Sequence, residues 1–235
     1  MNNAAFKARP HCLNQVLLGT KMTIYLHQFD RIDHLMIEVE DPQAVYQEFY
    51  NTFALPQAWP LMSGDRYTSI GINFGNANLE LITFKERFGV RNTHYSGLSG
   101  VCLTSLTDSE NINADMHSKN LALLTGEDAP GHKTLVIANK DAPTIFVCYY
   151  KFNTEGWKIR LDEEFKKSKG GKFNVTQIAE VCVNNPLLAR YEFNFCRPDS
   201  VTLRYAPSPE VRLKSTNTGL IGKSLVIGET LFTFC

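Results

Sequence analysis

The sequence predicts an α+β fold assembled from repeated modules, each a strand, a helix and about three more strands, with helices on one face of a curved mixed sheet. Three observations predict it. Arg31–Val39 alternates with one apolar face, a helix signal opens at Asp41-Pro42, and a similar pattern returns near the C-terminus.

In Arg31-Ile32-Asp33-His34-Leu35-Met36-Ile37-Glu38-Val39, alternation puts Leu35, Ile37 and Val39 on one face and His34, Met36 and Glu38 on the other. Period two with one apolar face is a half-buried strand. Asp41 can then accept from the first free helical N–H groups, and Pro42 fits the first turn. Val45, Phe49, Thr52 and Phe53 form one helical stripe that covers the apolar face of the strand, and Leu55-Pro56 stops it. Tyr67–Phe74 alternates again, with Ile70, Ile72 and Phe74 on one side and Ser69, Gly71 and Asn73 on the other. Gly75-Asn76-Ala77-Asn78 reads as a hairpin turn before the strand Leu79-Glu80-Leu81-Ile82-Thr83-Phe84. A helix on one face leaves the concave face free for a ligand.

A weaker module follows: strand-like Leu98–Leu106, a weak helix over Asn111–Leu121, and strands Thr134–Ala138 and Thr144–Tyr150. Asn153–Lys172 is charge-rich and reads as a connector or an exposed helix. Val175–Val183 followed by Asn184-Asn185-Pro186 matches Val39-Glu40-Asp41-Pro42, Phe49 and Phe193 both lie seven residues past the proline, and Thr230–Phe234 echoes Glu80–Phe84. The expected boundaries are a tail or extension over 1–30, a first module 31–86 and a degenerate second 97–152 in one domain, a connector 153–172, and a third degenerate module 173–235.

Lys+Arg and Asp+Glu number 24 each in the 235 residues, so no global field recruits nucleic acid or an anionic membrane. No run of ~18 apolar residues forms a membrane span. Cys12, Cys102, Cys148, Cys182, Cys196 and Cys235 are scattered without a C-x-x-C pair, which favours buried free thiols in a reducing, cytoplasmic setting. Val16-Leu17-Leu18 is too short for a secretory apolar region. Residues 1–21 therefore read as a loose tail or transit-like leader, with Met22 as an alternative start.

Two residues carry the chemistry. His34 and Glu80 occupy polar positions inside apolar strands and by alternation point away from the helix-covered face. A buried carboxylate needs a partner, and imidazole with carboxylate suits a divalent ion (Zn, Fe, Mn, Ni or Co) with open positions. The alternative is a simple His–Glu hydrogen bond, and no metal at all. Met36, Trp59, Tyr67, Ser69 and Asn73 are expected to line the same cup as substrate-binding residues, with Glu38 on the face of His34. Arg66 would meet an anionic substrate or Glu38. No phosphate loop, dinucleotide fingerprint or nucleophile triad is present.

Ile32-Asp33-His34-Leu35-Met36-Ile37-Glu38-Val39-Glu40-Asp41, the aromatic-rich helix, and Gly75-Asn76-Ala77-Asn78-Leu79-Glu80-Leu81 together resemble the vicinal oxygen chelate superfamily of glyoxalases, ring-cleaving dioxygenases, epimerases and drug-resistance proteins. The resemblance covers residues 31–86 and fades beyond. It implies paired βαβββ modules forming an open, cupped mixed β-sheet barrel with helices outside, and a homodimer is common in the group. It also implies a divalent metal held by His34 and Glu80, with Glu38 as a catalytic base. The activity implied is that of a lyase, isomerase or dioxygenase acting on neighbouring oxygens of a small organic molecule; the alternative is metal-free small-molecule binding or drug sequestration. The third metal ligand expected from a paired module is missing. Ile178 and Thr230 stand at the matching places of the last module, Val101 at that of the middle one, and Thr144–Tyr150 holds no His or Glu. His94 and His132 are the loop residues that could substitute, whereas His11, His27 and His117 have no evident partner.

Overall fold

The predicted first strand lies at the centre of the larger sheet. The protein is described from a computed structural model covering residues 7–8, 22–24, 29–87, 90–91, 94–105, 109–118, 120–137, 142–193, 195, 197 and 200–235. Expectations for most of the tail (with His11, Cys12 and His27), and for Leu106, Ala138 and Cys196, lie outside the described residues.

The first module is β1 (Phe29–Glu38), α1 (Pro42–Phe53), β2 (Gln57–Ser63), β3 (Tyr67–Asn73) and β4 (Asn78–Phe84). The second is β5 (Gly97–Ser105), α2 (Ser109–Ser118), β6 (Leu123–Asp128), β7 (His132–Ile137) and β8 (Thr144–Tyr150). Together they make one eight-stranded sheet in the order β6-β7-β8-β5-β1-β4-β3-β2. In each module the last strand returns parallel to the first, and the modules join through the antiparallel pair β1/β5. This is the mixed, curled α+β sheet that the sequence predicts.

The helix α1 starts and stops for local reasons. Asp41 accepts a hydrogen bond from the Ala44 N–H at 3.0 Å, Pro42 occupies the first turn, and Ala54 at φ 55° ends the helix in the left-handed region. Its stripe is buried as predicted: Phe49 and Phe53 pack against Phe232, and Phe53 also against Phe74. Each such ring contributes about 1.5–3 kcal/mol.

The charged segment after the second module is a helix, α3 (Glu155–Ser168), with Leu161 buried. Beyond it come β9 (Val175–Val183), α4 (Pro186–Arg190), β10 (Thr202–Tyr205), β11 (Glu210–Ser215), β12 (Lys223–Ile227) and β13 (Thr230–Phe234). With Lys7–Ala8 at one edge, these strands form a six-stranded sheet ordered Lys7–Ala8-β12-β13-β11-β9-β10. Asn185 caps α4 as Asp41 caps α1, yet the likeness soon ends. The helix has five residues, Phe193 falls in a short strand rather than on a helix, and β9 pairs with β10 and β11 instead of with the last strand.

One large core fills the space between α1, the apolar face of the eight-stranded sheet (Leu35, Ile37, Leu79, Leu81, Val101, Val147) and the six-stranded sheet (Ile178, Val181, Phe232, Phe234). A smaller cluster of Met36, Ile82, Cys102, Val136, Phe146 and Cys148 lines the opposite face of the larger sheet. That face is the cup. No helix among the described residues is long and apolar enough to cross a membrane.

Candidate active site

The eight-stranded sheet curls around a cavity of about 440 Å³. Its walls are mostly aromatic: Trp59, Tyr67, Phe84, Phe146, Tyr150 and Trp157. Arg66, on the turn before β3, lies 3.5 Å from Glu127 of β6, so the two ends of the sheet meet across the mouth.

His34 and Glu80 converge on this cavity. His34 Nε2 is 3.4 Å from Glu80 Oε2, because β1 and β4 run parallel with Met36 level with Glu80, and one step of the pleat brings His34 beside it. The ring of His34 stands edge-on to Trp59 and Phe146, at 6.1 and 5.8 Å between centroids. Its other nitrogen, Nδ1, lies 2.9 Å from Asp33 Oδ2, which also accepts from the Tyr150 hydroxyl at 2.7 Å. Simple alternation would send Asp33 to the opposite face. The register of β1 against β5 shifts between Ile32 and His34, and this bulge swings the Asp33 carboxylate behind the imidazole.

Electrostatics follow from this sandwich. Burial disfavours a charged His34 ring, but the Asp33 hydrogen bond and the Glu80 and Asp33 charges outweigh it and push its pKa up to about 9. Burial likewise opposes the Asp33 carboxylate, yet the His34 and Tyr150 hydrogen bonds hold it below its usual range. Burial and the nearby Glu80 and Glu127 charges raise Tyr67 to about 12, so its hydroxyl keeps its proton and can donate into the cavity.

Of the predicted lining, Met36, Trp59 and Tyr67 face the cavity with His34 and Glu80. The other three lie off it. Ser69 is buried behind Trp59, whose indole N–H donates to its hydroxyl at 3.4 Å. Asn73 donates to the Leu161 carbonyl at 2.6 Å, tying β3 to α3. Glu38 accepts from the Tyr95 N–H at 3.1 Å and pairs with Arg87 at 3.4 Å; burial pushes its pKa up in spite of both. Arg66 therefore pairs with Glu127 and not with Glu38.

The cup also holds residues that the sequence places elsewhere or leaves unassigned. His132 is no isolated loop residue: it begins β7, lines the cavity, and its Nε2 lies 3.2 Å from Glu127 Oε2. That bond raises the pKa of His132 and lowers that of Glu127. Trp157 reaches the cavity from α3, a helix whose charged composition hides it. The middle-module position assigned to Val101 is also corrected. Val101 belongs to the large core, whereas its neighbour Cys102 faces the cup directly across from His34, and Cys148 of β8 lines the cavity. Alternation of Val101 and Leu103 against Cys102, and of Ile145 and Val147 against Phe146 and Cys148, was the available signal.

Among the described residues, ligating atoms of Asp33, His34 and Cys102 lie within 4.8 Å of one another, a group able to hold a metal ion. Glu80 stands outside that group, on the Nε2 side of the ring. Asp33 fixes Nδ1 and aims Nε2 at Glu80, the outer-carboxylate arrangement that orients ligating histidines, and the cavity leaves the remaining positions open.

In shape the chain resembles a hypothetical protein from Staphylococcus aureus (TM-score 0.57, 13% identity, 87% of this chain and 98% of that one). It also resembles homoprotocatechuate 2,3-dioxygenase from B. fuscum (TM-score 0.55, 9% identity, 92% of this chain and 73% of that one), a vicinal oxygen chelate protein. The chain has the glyoxalase-like fold. Methylmalonyl-CoA epimerase from Streptomyces coelicolor, of the same superfamily, aligns over 53% of this chain and 99% of its own, with TM-score 0.43 and 15% identity. By sequence, no family model and no curated protein matches. At these identities the likeness to the staphylococcal protein and the dioxygenase shows the fold alone and leaves the chemistry to the cup's own residues.

Proposed function

We propose that the cup binds a small organic molecule carrying neighbouring oxygens, that His34 and Glu80 hold a divalent metal at its floor, and that the protein acts as a lyase, isomerase or dioxygenase. The observation that supports this is the 3.4 Å approach of His34 Nε2 to Glu80 Oε2 inside an aromatic cavity, with Asp33 fixing the far side of the ring. Bound there, the metal would supply a Lewis acid for adjacent substrate oxygens.

The chain supplies the rest. Trp59, Trp157 and Phe146 exclude water and pack on the apolar body of the ligand. Tyr67 offers a protonated hydroxyl, and His132 with Glu127 is the cavity-facing pair placed to accept or return a proton. Glu38 has no part in this reading, because Arg87 and Tyr95 hold its carboxylate. Residues 31–152, with Trp157 from the connector, form the proposed functional unit, and 173–235 back it. The described cysteines, Cys102, Cys148, Cys182 and Cys235, are free thiols, which fits a cytoplasmic site of action.

A metal-free binding protein is the second reading, favoured by the fact that each nitrogen of His34 already faces a carboxylate. Metal analysis of protein purified without chelator separates the two. About one equivalent of a divalent transition metal is expected, and it should vanish in His34→Ala and Glu80→Ala. Metal content well below that, unchanged by either substitution, would leave the binding protein as the answer. A thermal-shift screen of small aromatic and oxygen-rich molecules would then identify its ligand class.

A further inference from the structure

Granted the small-molecule reading of the cup, on which this rests, we propose that its ligand is an organic acid with an apolar body, and that Arg66, with His132 beside it, forms a carboxylate-binding subsite at the mouth.

Charge is divided along the cavity. At the floor two carboxylates, Asp33 and Glu80, enclose the single imidazole of His34, so without a metal that end repels an anion. At the mouth the count is reversed: Arg66 and His132 flank the single carboxylate of Glu127. Glu86, the remaining acid of the wall, pairs with Arg91 at 3.6 Å. Among the described residues Arg66 is the only lysine or arginine that lines the cavity.

The guanidinium is available to a ligand. It is 53% exposed, and its Nη1 lies 3.5 Å from Glu127 Oε1, beyond the roughly 2.9 Å of a charge-assisted hydrogen bond. The Arg66 side chain makes no hydrogen bond among the described residues. Glu127 is held from its other side by His132 Nε2, 3.2 Å from Oε2, so it keeps a partner when Arg66 turns to a ligand. The backbone of Arg66 is fixed where its side chain is not. Its carbonyl accepts from the Lys85 N–H at 2.7 Å and from the Glu86 N–H at 2.9 Å. A planar fork of donors thus springs from an anchored point on the rim, a geometry matched to a carboxylate. The apolar body of such an acid would pack inward against Trp59 and Trp157.

The two tryptophans of the chain are Trp59 and Trp157, and both line the cavity, so intrinsic fluorescence reports its occupancy. Full-length protein in chelator is titrated with three probes of matched size: 3-phenylpropanoate, 3-phenylpropanamide and 3-phenylpropylamine. The acid is expected to bind at least about 10-fold more tightly than the amide or the amine. Arg66→Gln should bring acid and amide to within about twofold, and Arg66→Lys should keep part of the preference. Glu127→Gln removes the competing carboxylate, so it should tighten the acid and leave the amide unchanged. A purely structural ion pair would not give opposite shifts from its two ends. Equal binding of acid and amide, a preference for the amine, an acid preference that survives Arg66→Gln, or quenching by none of the three would overturn the subsite. Metal content, measured on the same protein before chelation, is a separate readout: its absence beside an intact acid preference would sink the metal reading and leave the subsite standing.

Discussion

Asn76, in the turn between β3 and β4, grips the backbone of Ile178 in β9 from both sides. Its Nδ2 donates to the Ile178 carbonyl at 2.8 Å and its Oδ1 accepts from the Ile178 N–H at 2.9 Å. One side chain thus supplies a strand-like pair of bonds across 102 residues of sequence, joining the wall of the cup to the sheet behind it. Asn76→Ala strips partners from two backbone groups of a fully buried residue. The expected loss is about 1–3 kcal/mol, or a fall in Tm of roughly 3–10 °C for a chain of this size. Thermal melting checks it; an unchanged Tm would mean that Ile178 finds other partners.

Gly71 answers to packing rather than to a turn. A Cβ there would lie 2.3 Å from Cδ2 of Trp59, so the indole covers the bare backbone of β3. Gly71→Ala should drive Trp59 outward from its seat beside His34, at about 1–3 kcal/mol of overpacking. The expected readings are a lower Tm, altered tryptophan fluorescence and weaker binding of cavity ligands. A Trp59→Phe background, with a smaller ring, should relieve part of the defect.

Much of the first module could be read directly. Period-two alternation in β1, β3 and β4 and the Asp41-Pro42 cap are local signals, and alternation alone aimed His34 and Glu80 at one surface. What escaped was set by contacts distant in sequence. The bulge at Asp33 exists only in the register between β1 and β5. Trp157 rides a charged helix whose docking is decided by Asn73 bonding to Leu161 and by Arg160 donating to the Ala58 carbonyl at 2.8 Å. Ser69, Asn73 and Glu38 share the polar side of their strands with true lining residues, yet Trp59, α3 and Arg87 respectively claim them. Cys102 and Cys148 were not placed on the cup face because thiols inside apolar strands read equally well as core.

Asp33 is the residue on which the orientation of His34 depends. Its carboxylate holds Nδ1 at 2.9 Å and is itself fixed by Tyr150 from the second module. Asp33→Asn removes the charge while keeping the size, so metal affinity should fall by about 10–100-fold with the fold intact. Tyr150→Phe, which leaves Asp33 charged but less restrained, should give a smaller effect. Isothermal titration with zinc measures both; equal affinities across the three proteins would remove Asp33 from the site.

The caged imidazole also predicts how stability depends on pH when metal is absent. The pKa of His34 rises from 6.5 to about 9 on folding, so the folded state holds this proton more tightly than the unfolded chain. That contribution is fully present below pH 6.5 and is lost as pH climbs through 9, with an upper limit of about 3 kcal/mol. Cys148 works in the opposite sense over the upper part of this window, because the Cys102 hydrogen bond and the His34 charge favour its thiolate. The comparison therefore belongs in a Cys148→Ser background, by urea unfolding in chelator at pH 6, 8 and 10. Protein with His34 should lose stability across the series, whereas His34→Gln should show a flatter profile whatever its absolute stability. Parallel profiles for the two would mean that the ring is neutral between its carboxylates, and the charged sandwich of Asp33, His34 and Glu80 would have to be abandoned.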